Sequence, residues 1–217
     1  MKLEIVNVSV VVLANQHNPT ILHPAFLEGQ KIVPGDWEPA EDPLCTPPFA
    51  RVVYKNGIEL VAELSKFQVL DTRPPEDPGQ SVAPRVASDY IAALPHVKYT
   101  AVGLNIVAFL EQEHPESYVV QAFLKDGPWR SGKLQPNSLT IALFYEVDGA
   151  VFQYKCDPGA RSEPSGGQSR RGLVVSGNYH TPLSQQTADE GRGVIERFQD
   201  RCSHFLGIVG DFFEGEG

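Results

Sequence analysis

The fold is decided at residues 50–63, which read ARVVYKNGIELVAE. Two runs rich in apolar and β-branched residues flank Asn56-Gly57, a dipeptide that tolerates positive φ at both central positions of a tight turn. The pattern predicts an antiparallel β-hairpin. A second hairpin is predicted further along the chain, where residues 139–147 and 150–155 flank Asp148-Gly149.

Landmarks in the two halves of the chain recur at a nearly constant step. Two pairs are 92 positions apart (149 − 57 and 129 − 37) and a third is 91 apart (114 − 23): Gly57 and Gly149, Trp37 and Trp129, His23-Pro24 and His114-Pro115. Repetition at a fixed step indicates that one unit is used twice. The alternative is coincidence, because dipeptides typical of turns are common.

Each half shows the same order of predicted elements: strand, short helix, two-strand hairpin, strand, long helix. We expect residues 1–95 and 96–217 to be two copies of this unit in one α+β domain, which share an antiparallel sheet with the helices packed on one face. A last long helix is predicted over residues 188–213, because its apolar side chains recur every three or four positions. Leu3 to Ala14 is predicted to be a strand rather than a secretion signal, since polar residues interrupt its apolar run.

The edges of the predicted sheet need protection from unwanted pairing. Pro47 and Pro48 precede the first hairpin and would protect one edge, because proline lacks the backbone N–H that a neighbouring strand binds. Residues 139–145, LTIALFY, contain neither proline nor charge, which is typical of a central strand or of an interface. We expect a central strand in contact with the first half, and we expect any homodimer to form through helix or loop surface.

The composition narrows the class of protein. The chain has 18 basic and 27 acidic residues among 217, and this net charge of −9 disfavours binding to nucleic acid. Its three cysteines lie far apart, as expected for reduced thiols in the cytoplasm. A membrane-spanning helix needs about 18 consecutive apolar residues, and no apolar run in this sequence is nearly that long. We expect a cytoplasmic protein with neither a membrane nor a nucleic-acid partner.

Three segments resemble those of a sporadically distributed family of uncharacterised bacterial proteins. They are residues 18–27 (NPTILHPAFL) with the following Trp37, residues 46–49 (TPPF), and residues 95–105 (PHVKYTAVGLN). The resemblance covers most of the chain. It implies a bacterial source, and because that family has no assigned activity it implies no catalytic residue.

No residue pattern indicates a metal, a cofactor or a catalytic site. The six histidines and three cysteines lack the spacings of known ligand motifs, and no glycine-rich cofactor motif is present. His23 and His114 each precede proline and are predicted to start helices rather than to bind a ligand. Cys156 ends a strand and could be exposed; we interpret it as an inert thiol rather than a nucleophile. Cys202 is interpreted as a small apolar residue of the last helix.

Two groups of residues are the candidates for ligand binding. Thr100 and Asn105 are polar positions in an apolar strand, where a buried amide needs partners; the alternative there is a β-bulge in a long strand. Arg161, Arg170 and Arg171 lie among small residues and could close over an anion; the alternative is a solvated loop.

These observations leave three classes of function. We expect a non-enzymatic interaction or regulatory protein with a protein partner. The first alternative is a protein that binds a small apolar or amphipathic ligand between sheet and helices, and the second is an enzyme whose site follows no recognisable motif. An exposed apolar patch would favour the interaction protein, an empty apolar cavity the ligand binder, and a cleft of titratable groups the enzyme.

Overall fold

The structure, a computed structural model, describes residues 2–130, 135–162 and 169–213. Within these residues the strands are β1 (Leu3–Ala14), β2 (Leu44–Cys45), β3 (Phe49–Val53), β4 (Ile58–Glu63), β5 (Lys66–Asp71), β6 (Tyr99–Glu111), β7 (Ile141–Val147), β8 (Ala150–Arg161) and β9 (Arg170–Pro182). The α-helices are α1 (Pro24–Gly29), α2 (Ala83–Ala93), α3 (Pro115–Phe123), α4 (Ala188–Ile195) and α5 (Phe198–Phe213), and short 3₁₀ helices cover Pro19–Ile21 and Pro78–Gln80. The chain is therefore an α+β protein, as predicted, and β1 has the bounds expected from the sequence.

The described strands form one antiparallel sheet in the order β2-β3-β4-β5-β1-β6-β9-β8-β7. β1 pairs with β5 on one side and with β6 on the other, so the two halves of the chain meet at the β1–β6 pair. The sheet is thus continuous across residue 95, the predicted boundary between the two units. None of the described helices is long and apolar enough to cross a membrane.

Helices pack on one face of the sheet, which we call the covered face. Alternate residues of the strands point to it and are buried, among them Val8, Val10, Val12, Leu60, Phe67, Val69, Leu104 and Ile106. On α2, Tyr90 stacks on Phe67 with ring centroids 3.6 Å apart, and on α5 Phe205 lies against Gly177 of β9. The opposite face, which carries Asn105 and other partly exposed side chains, is called the open face.

The two predicted hairpins form, but their turns differ. Asp148 and Gly149 have φ values of 45° and 79°, the two positive angles of a two-residue type I′ turn. The first hairpin has a three-residue loop instead, because the Tyr54 N–H donates to the Ile58 carbonyl oxygen at 2.8 Å. Only Gly57 has positive φ there, 94°, so Asn56-Gly57 does not use the positive φ that both of its residues tolerate.

The last helix is interrupted, contrary to the prediction of one helix over residues 188–213. Glu196 and Arg197 separate α4 from α5, and neither is a helix-breaking residue. The cause is tertiary: α4 packs against α2 and β6, whereas α5 packs against β6 and β9, and Arg197 donates to the Asp148 carbonyl oxygen at 3.2 Å. The core assignment of the predicted stripe is confirmed for its buried members Ile195, Phe198, Cys202, Phe205 and Val209.

The segment predicted to be a central strand lies at an edge of the sheet. β7 is the last strand in the order and pairs with β8, while β1 and β6 hold the centre. The apolar composition of β7 suggested burial on both faces. Only Ile141, Leu143 and Val147 pack against the core, however, and the side chains between them are exposed. The central-strand prediction is therefore wrong.

Candidate functional site

Thr100 forms a β-bulge at the start of β6. Leu13 of β1 pairs with Ala101 and Ala14 pairs with Tyr99, which leaves Thr100 as the extra residue. Its carbonyl oxygen accepts a hydrogen bond from the Leu183 N–H at 2.9 Å. The β-bulge thus accounts for a polar residue at position 100 of this apolar strand, and it was the alternative to a ligand-binding role for Thr100.

Asn105 lies near the middle of the open face and joins three strands. Its Nδ2 donates to Ser9 Oγ of β1 at 3.2 Å, and its Oδ1 accepts a hydrogen bond from Nδ2 of Asn178 on β9. These two partners answer the requirement that a partly buried amide be hydrogen-bonded. Sequence analysis could not find Ser9 or Asn178, because cross-strand pairing depends on register.

Arg161 and Arg170 face each other across β8 and β9, and both bind Glu4. Arg170 Nη2 donates to Glu4 Oε2 at 2.8 Å, and Arg161 Nη1 forms an ion pair with Glu4 Oε1 at 2.6 Å outside hydrogen-bond geometry. The hydrogen bond from Arg170 and the charge of Arg161 hold the pKa of the Glu4 carboxyl below its usual value. Arg171 donates to both carboxylate oxygens of Glu116 on α3. A bound anion would have to displace these carboxylates.

The five candidate residues therefore do not form one site. Thr100 lies at one end of β6, Asn105 lies along the open face, and the arginines lie near the other end. Arg161, Arg170 and Arg171, for which a solvated loop was the alternative, lie in strands instead, because β8 continues to Arg161 and β9 begins at Arg170. Residues 163–168, between these strands, lie outside the described residues.

The surroundings of His23, Cys156 and Cys202 fit structural roles rather than catalysis or metal binding. His23 caps α1, since its Nδ1 accepts from the Ala25 N–H at 3.3 Å, while His114 precedes α3 without a side-chain cap. Cys156 is buried rather than exposed, and burial raises the pKa of its thiol to about 12. Cys202 is buried as predicted, with its pKa raised by burial to about 12. Over the described ranges, no three His, Cys, Asp or Glu side chains are grouped to hold a metal ion.

A cleft of about 640 Å³ opens between loops at the end of the sheet where β6 begins. Its walls include polar side chains from the loop after β1 and from the segment before β6, among them Asn15, Asn18, His96 and Lys98. The cleft is bordered by loops rather than enclosed between the sheet and the helices. It is therefore a different place from the apolar cavity that a ligand binder was expected to have.

His17, beside this cleft, is buried among the rings of Phe67, Tyr90 and Tyr99. Its Nε2 lies 3.2 Å from the Val12 carbonyl oxygen, so Nε2 carries the proton and donates. Burial lowers the pKa of His17, which favours the neutral ring. The ring thus tethers the end of β1 from within an aromatic cluster, as a packed core residue does.

The hairpin of β7 and β8, residues 141–161, which we call the outer hairpin, carries three of the seven large apolar side chains that are exposed among the described residues. Phe144 is 64% exposed, Tyr145 41% and Val151 37%. Phe144 and Val151 are diagonal neighbours on the open face, and Tyr145 stacks on Phe152 on the covered face with ring centroids 5.9 Å apart. The outer hairpin therefore presents apolar surface on both faces of the sheet.

The turn geometry determines which backbone groups of β7 face outward. In a two-residue hairpin the residues flanking the turn, Val147 and Ala150, form a hydrogen-bonded pair, and such pairs alternate along the ladder. The odd-numbered residues of β7 consequently direct their N–H and C=O groups toward β8. The even-numbered residues, Ala142, Phe144 and Glu146, direct theirs toward the outer edge.

The two edges of the sheet differ in their protection. The edge strand β2 has two residues, and Pro43, Pro47 and Pro48 flank it. Short strands resist edge pairing. Pro47 and Pro48, predicted to protect an edge, lie in the turn that connects β2 to β3, so their protective role stays a prediction. β7 has seven residues, no proline and a single charged residue, Glu146. No strand among the described residues pairs with its outer edge, so in this part of the chain β7 is an unprotected edge.

Comparison with known proteins assigns no family to the chain. The sequence matches no protein-family model, and no curated protein is found to be similar to it. The function is therefore argued from the outer hairpin and the rest of the structure.

Proposed function

We propose that this chain is a non-enzymatic interaction or regulatory protein of the bacterial cytoplasm, and that it binds a protein partner at the outer hairpin. The observation that carries the proposal is the unprotected edge of β7. An exposed edge of seven residues with no proline and one charged residue is a template for pairing with another strand. Natural proteins usually block such an edge, as this chain does at β2, so an open edge favours a binding role.

The side chains of the outer hairpin support the same conclusion. Large exposed apolar residues are enriched at protein-binding surfaces, and aromatic residues carry much of the binding energy there. Phe144, Tyr145 and Val151 provide such a group on adjacent strands. The net charge of −9 favours a protein partner over a nucleic acid.

The two alternative functions have less support. Between sheet and helices, Phe67 of β5 stacks on Tyr90 of α2 and Phe205 of α5 lies against Gly177 of β9, so these places offer no room for a small ligand. The candidate residues for an enzyme lie in separate places. Cys156, the considered nucleophile, is buried with a raised pKa that disfavours the reactive thiolate.

Photo-crosslinking in the source bacterium tests the proposal. A photoreactive amino acid is placed at position 144 and, as the matched control, at position 64, where Leu64 is 52% exposed on the turn between β4 and β5. We expect protein adducts from position 144 and none above background from position 64. Equal yields at both positions, or no adduct at position 144, would contradict the proposal.

We also propose that the two halves of the chain are copies of one unit. Outward from the centre the strand order is β1-β5-β4-β3 on one side and β6-β9-β8-β7 on the other, which supports the proposal. The surroundings of Trp37 and Trp129 disfavour the duplication, because Trp37 packs against Tyr54 while Trp129 is exposed. A superposition of the halves should bring Gly57 close to Gly149, and wide separation of these turns would contradict the duplication.

A further inference from the structure

We infer that the partner at the outer hairpin is a second copy of this chain, bound by antiparallel pairing of β7 with β7 around a two-fold axis at Phe144. The inference rests on the proposed function, since it names the partner for the surface proposed above. It replaces the expectation that a homodimer would use helix or loop surface. The pattern of backbone groups, side chains and charges on β7 is complementary to itself.

One register pairs the whole of β7 with its copy. When Phe144 lies opposite Phe144, Ala142 lies opposite Glu146 of the second copy, and the reverse holds by symmetry. The three outward-facing residues then form three hydrogen-bonded pairs, each of which exchanges two hydrogen bonds. A shift in either direction leaves part of the strand unpaired, so the full-length register uses the outer edge best.

The side chains agree with this register on both faces. Phe144 meets its copy on the open face, where cross-strand aromatic pairs are stabilising. Leu143 meets Tyr145 of the second copy on the covered face, which extends the apolar layer. A register centred on Glu146 would place two carboxylates opposite each other, and such like-charge pairs are unfavourable.

The charges near β7 also favour self-association, although two copies of net charge −9 repel each other at a distance. Lys155 of β8 lies beside Ala142, and Ala142 would face Glu146 of the second copy. Lys155 would then lie two strands away from that carboxylate, about 9–10 Å between Cα atoms. The side chain of Ala142 is too small to separate the two long side chains. Within one chain Lys155 pairs with Asp157 at 2.7 Å, and in the dimer Glu146 of the second copy would lie near the same cation.

A charge-swap experiment tests the inference on the purified chain. Phe144→Glu and Phe144→Lys are prepared separately, and the oligomeric state is measured by sedimentation velocity over a wide range of concentrations. The wild-type chain should sediment as a dimer at high concentration. Each variant alone should lose the dimer, because like charges meet at the two-fold axis. An equal mixture of the two variants should regain it, because Glu then faces Lys.

Controls separate loss of the dimer from loss of the fold. The unfolding midpoint of each Phe144 variant should stay close to that of the wild type in dilute solution, since the ring is exposed in one chain. Leu64→Glu and Leu64→Lys change an exposed apolar residue of the other half, and neither should alter the oligomeric state.

The outcomes distinguish this inference from the proposed function. A wild-type chain that is monomeric at all concentrations, or a dimer that both Phe144 variants retain, would overturn the inference. If position 144 then crosslinks to a different protein in cells, the proposed function stands and only the identity of the partner is wrong. If position 144 gives no adduct either, both fail. A dimer that forms in the mixture of the two variants, and in neither variant by itself, supports the two-fold pairing.

Discussion

Replacement of Phe205 by alanine is expected to lower the free energy of unfolding by about 3–5 kcal/mol. The Phe205 ring is fully buried on α5, where it lies against Gly177 of β9. Its removal leaves a cavity between helix and sheet that a rigid, close-packed interior fills only in part. Chemical denaturation of the wild type and the variant, monitored by circular dichroism, measures the change.

Phe144→Ala is the matched control for this experiment. It removes the same ring from a position that is 64% exposed at the edge of the sheet. In dilute solution the change should stay within about 0.5 kcal/mol, because surface substitutions away from special features have small effects. Similar losses in both variants would show that α5 does not pack against the sheet as described.

Gly172→Ala is expected to destabilise the fold by about 2–3 kcal/mol, since an added methyl group overfills a packed site. Gly172 lies on β9 between Glu111 of β6 and Gly159 of β8. A Cβ atom at this position would press against the Leu110 carbonyl oxygen and the Phe109 ring. Backbone of a central strand cannot move aside as a flexible side chain can, so the β6–β9 pairing must distort. The midpoint of chemical denaturation reports the loss.

Gly193→Ala, the same substitution at another position, is expected to raise the free energy of unfolding. Gly193 lies within α4, and apart from its chain neighbours and the backbone of the helix itself no atom stands within 4 Å of the position that its Cβ would occupy. Alanine there should stabilise the helix by about 0.5–1 kcal/mol, because it restricts the unfolded backbone and favours helical conformation. A destabilisation equal to that of Gly172→Ala would contradict the packing described around the two glycines.

The sequence predicted the local elements well, because they depend on neighbouring residues. β1 has the predicted bounds, and both hairpins form where β-rich runs flank a turn dipeptide. The face of the last helix is also correct, since periodicity alone determines which residues of a helix are buried together. The break at Glu196 and Arg197 was not predictable, because contacts with distant strands cause it rather than a breaker residue.

The order of strands in the sheet could not be derived in the same way. Residues 139–145 were predicted to be a central strand, with an interface as the alternative, and the edge position of β7 contradicts the first of these. An uncharged strand is compatible with burial on both faces and with an open binding edge. What separates the two is which strand pairs with β1, and that depends on contacts between residues 85 to 107 positions apart (99 − 14 and 110 − 3).

The partners of the candidate ligand-binding residues could not be predicted from the sequence either. Asn105 was identified as a polar interruption of an apolar strand, but its partners Ser9 and Asn178 come from β1 and β9. Arg161, Arg170 and Arg171 were the candidates for anion binding, and the carboxylates that they bind, Glu4 and Glu116, lie far away in sequence. Residue type indicated where partners were needed, and only the fold shows which residues supply them.

A dimer formed through β7 would enlarge the open face without changing either chain. The sheets of the two copies would join edge to edge, so that the open faces form one surface with the Phe144 pair near its middle. The unprotected edges would disappear, and only the two β2 edges, each short and flanked by proline, would remain at the ends. The dimer would then explain why β2 is a short edge strand flanked by proline whereas β7 is a long edge strand without proline.

Amide hydrogen exchange along β7 tests this account most directly. The Phe144 N–H faces outward and the Leu143 N–H faces β8, so the two neighbouring amides serve as test and internal reference. In dilute solution the Phe144 amide should exchange fast and the Leu143 amide slowly. At high protein concentration the Phe144 amide should become protected, while the Leu143 amide changes little. Protection of Phe144 that is already complete in the dilute monomer, or fast exchange that persists at the highest concentration, would contradict the account.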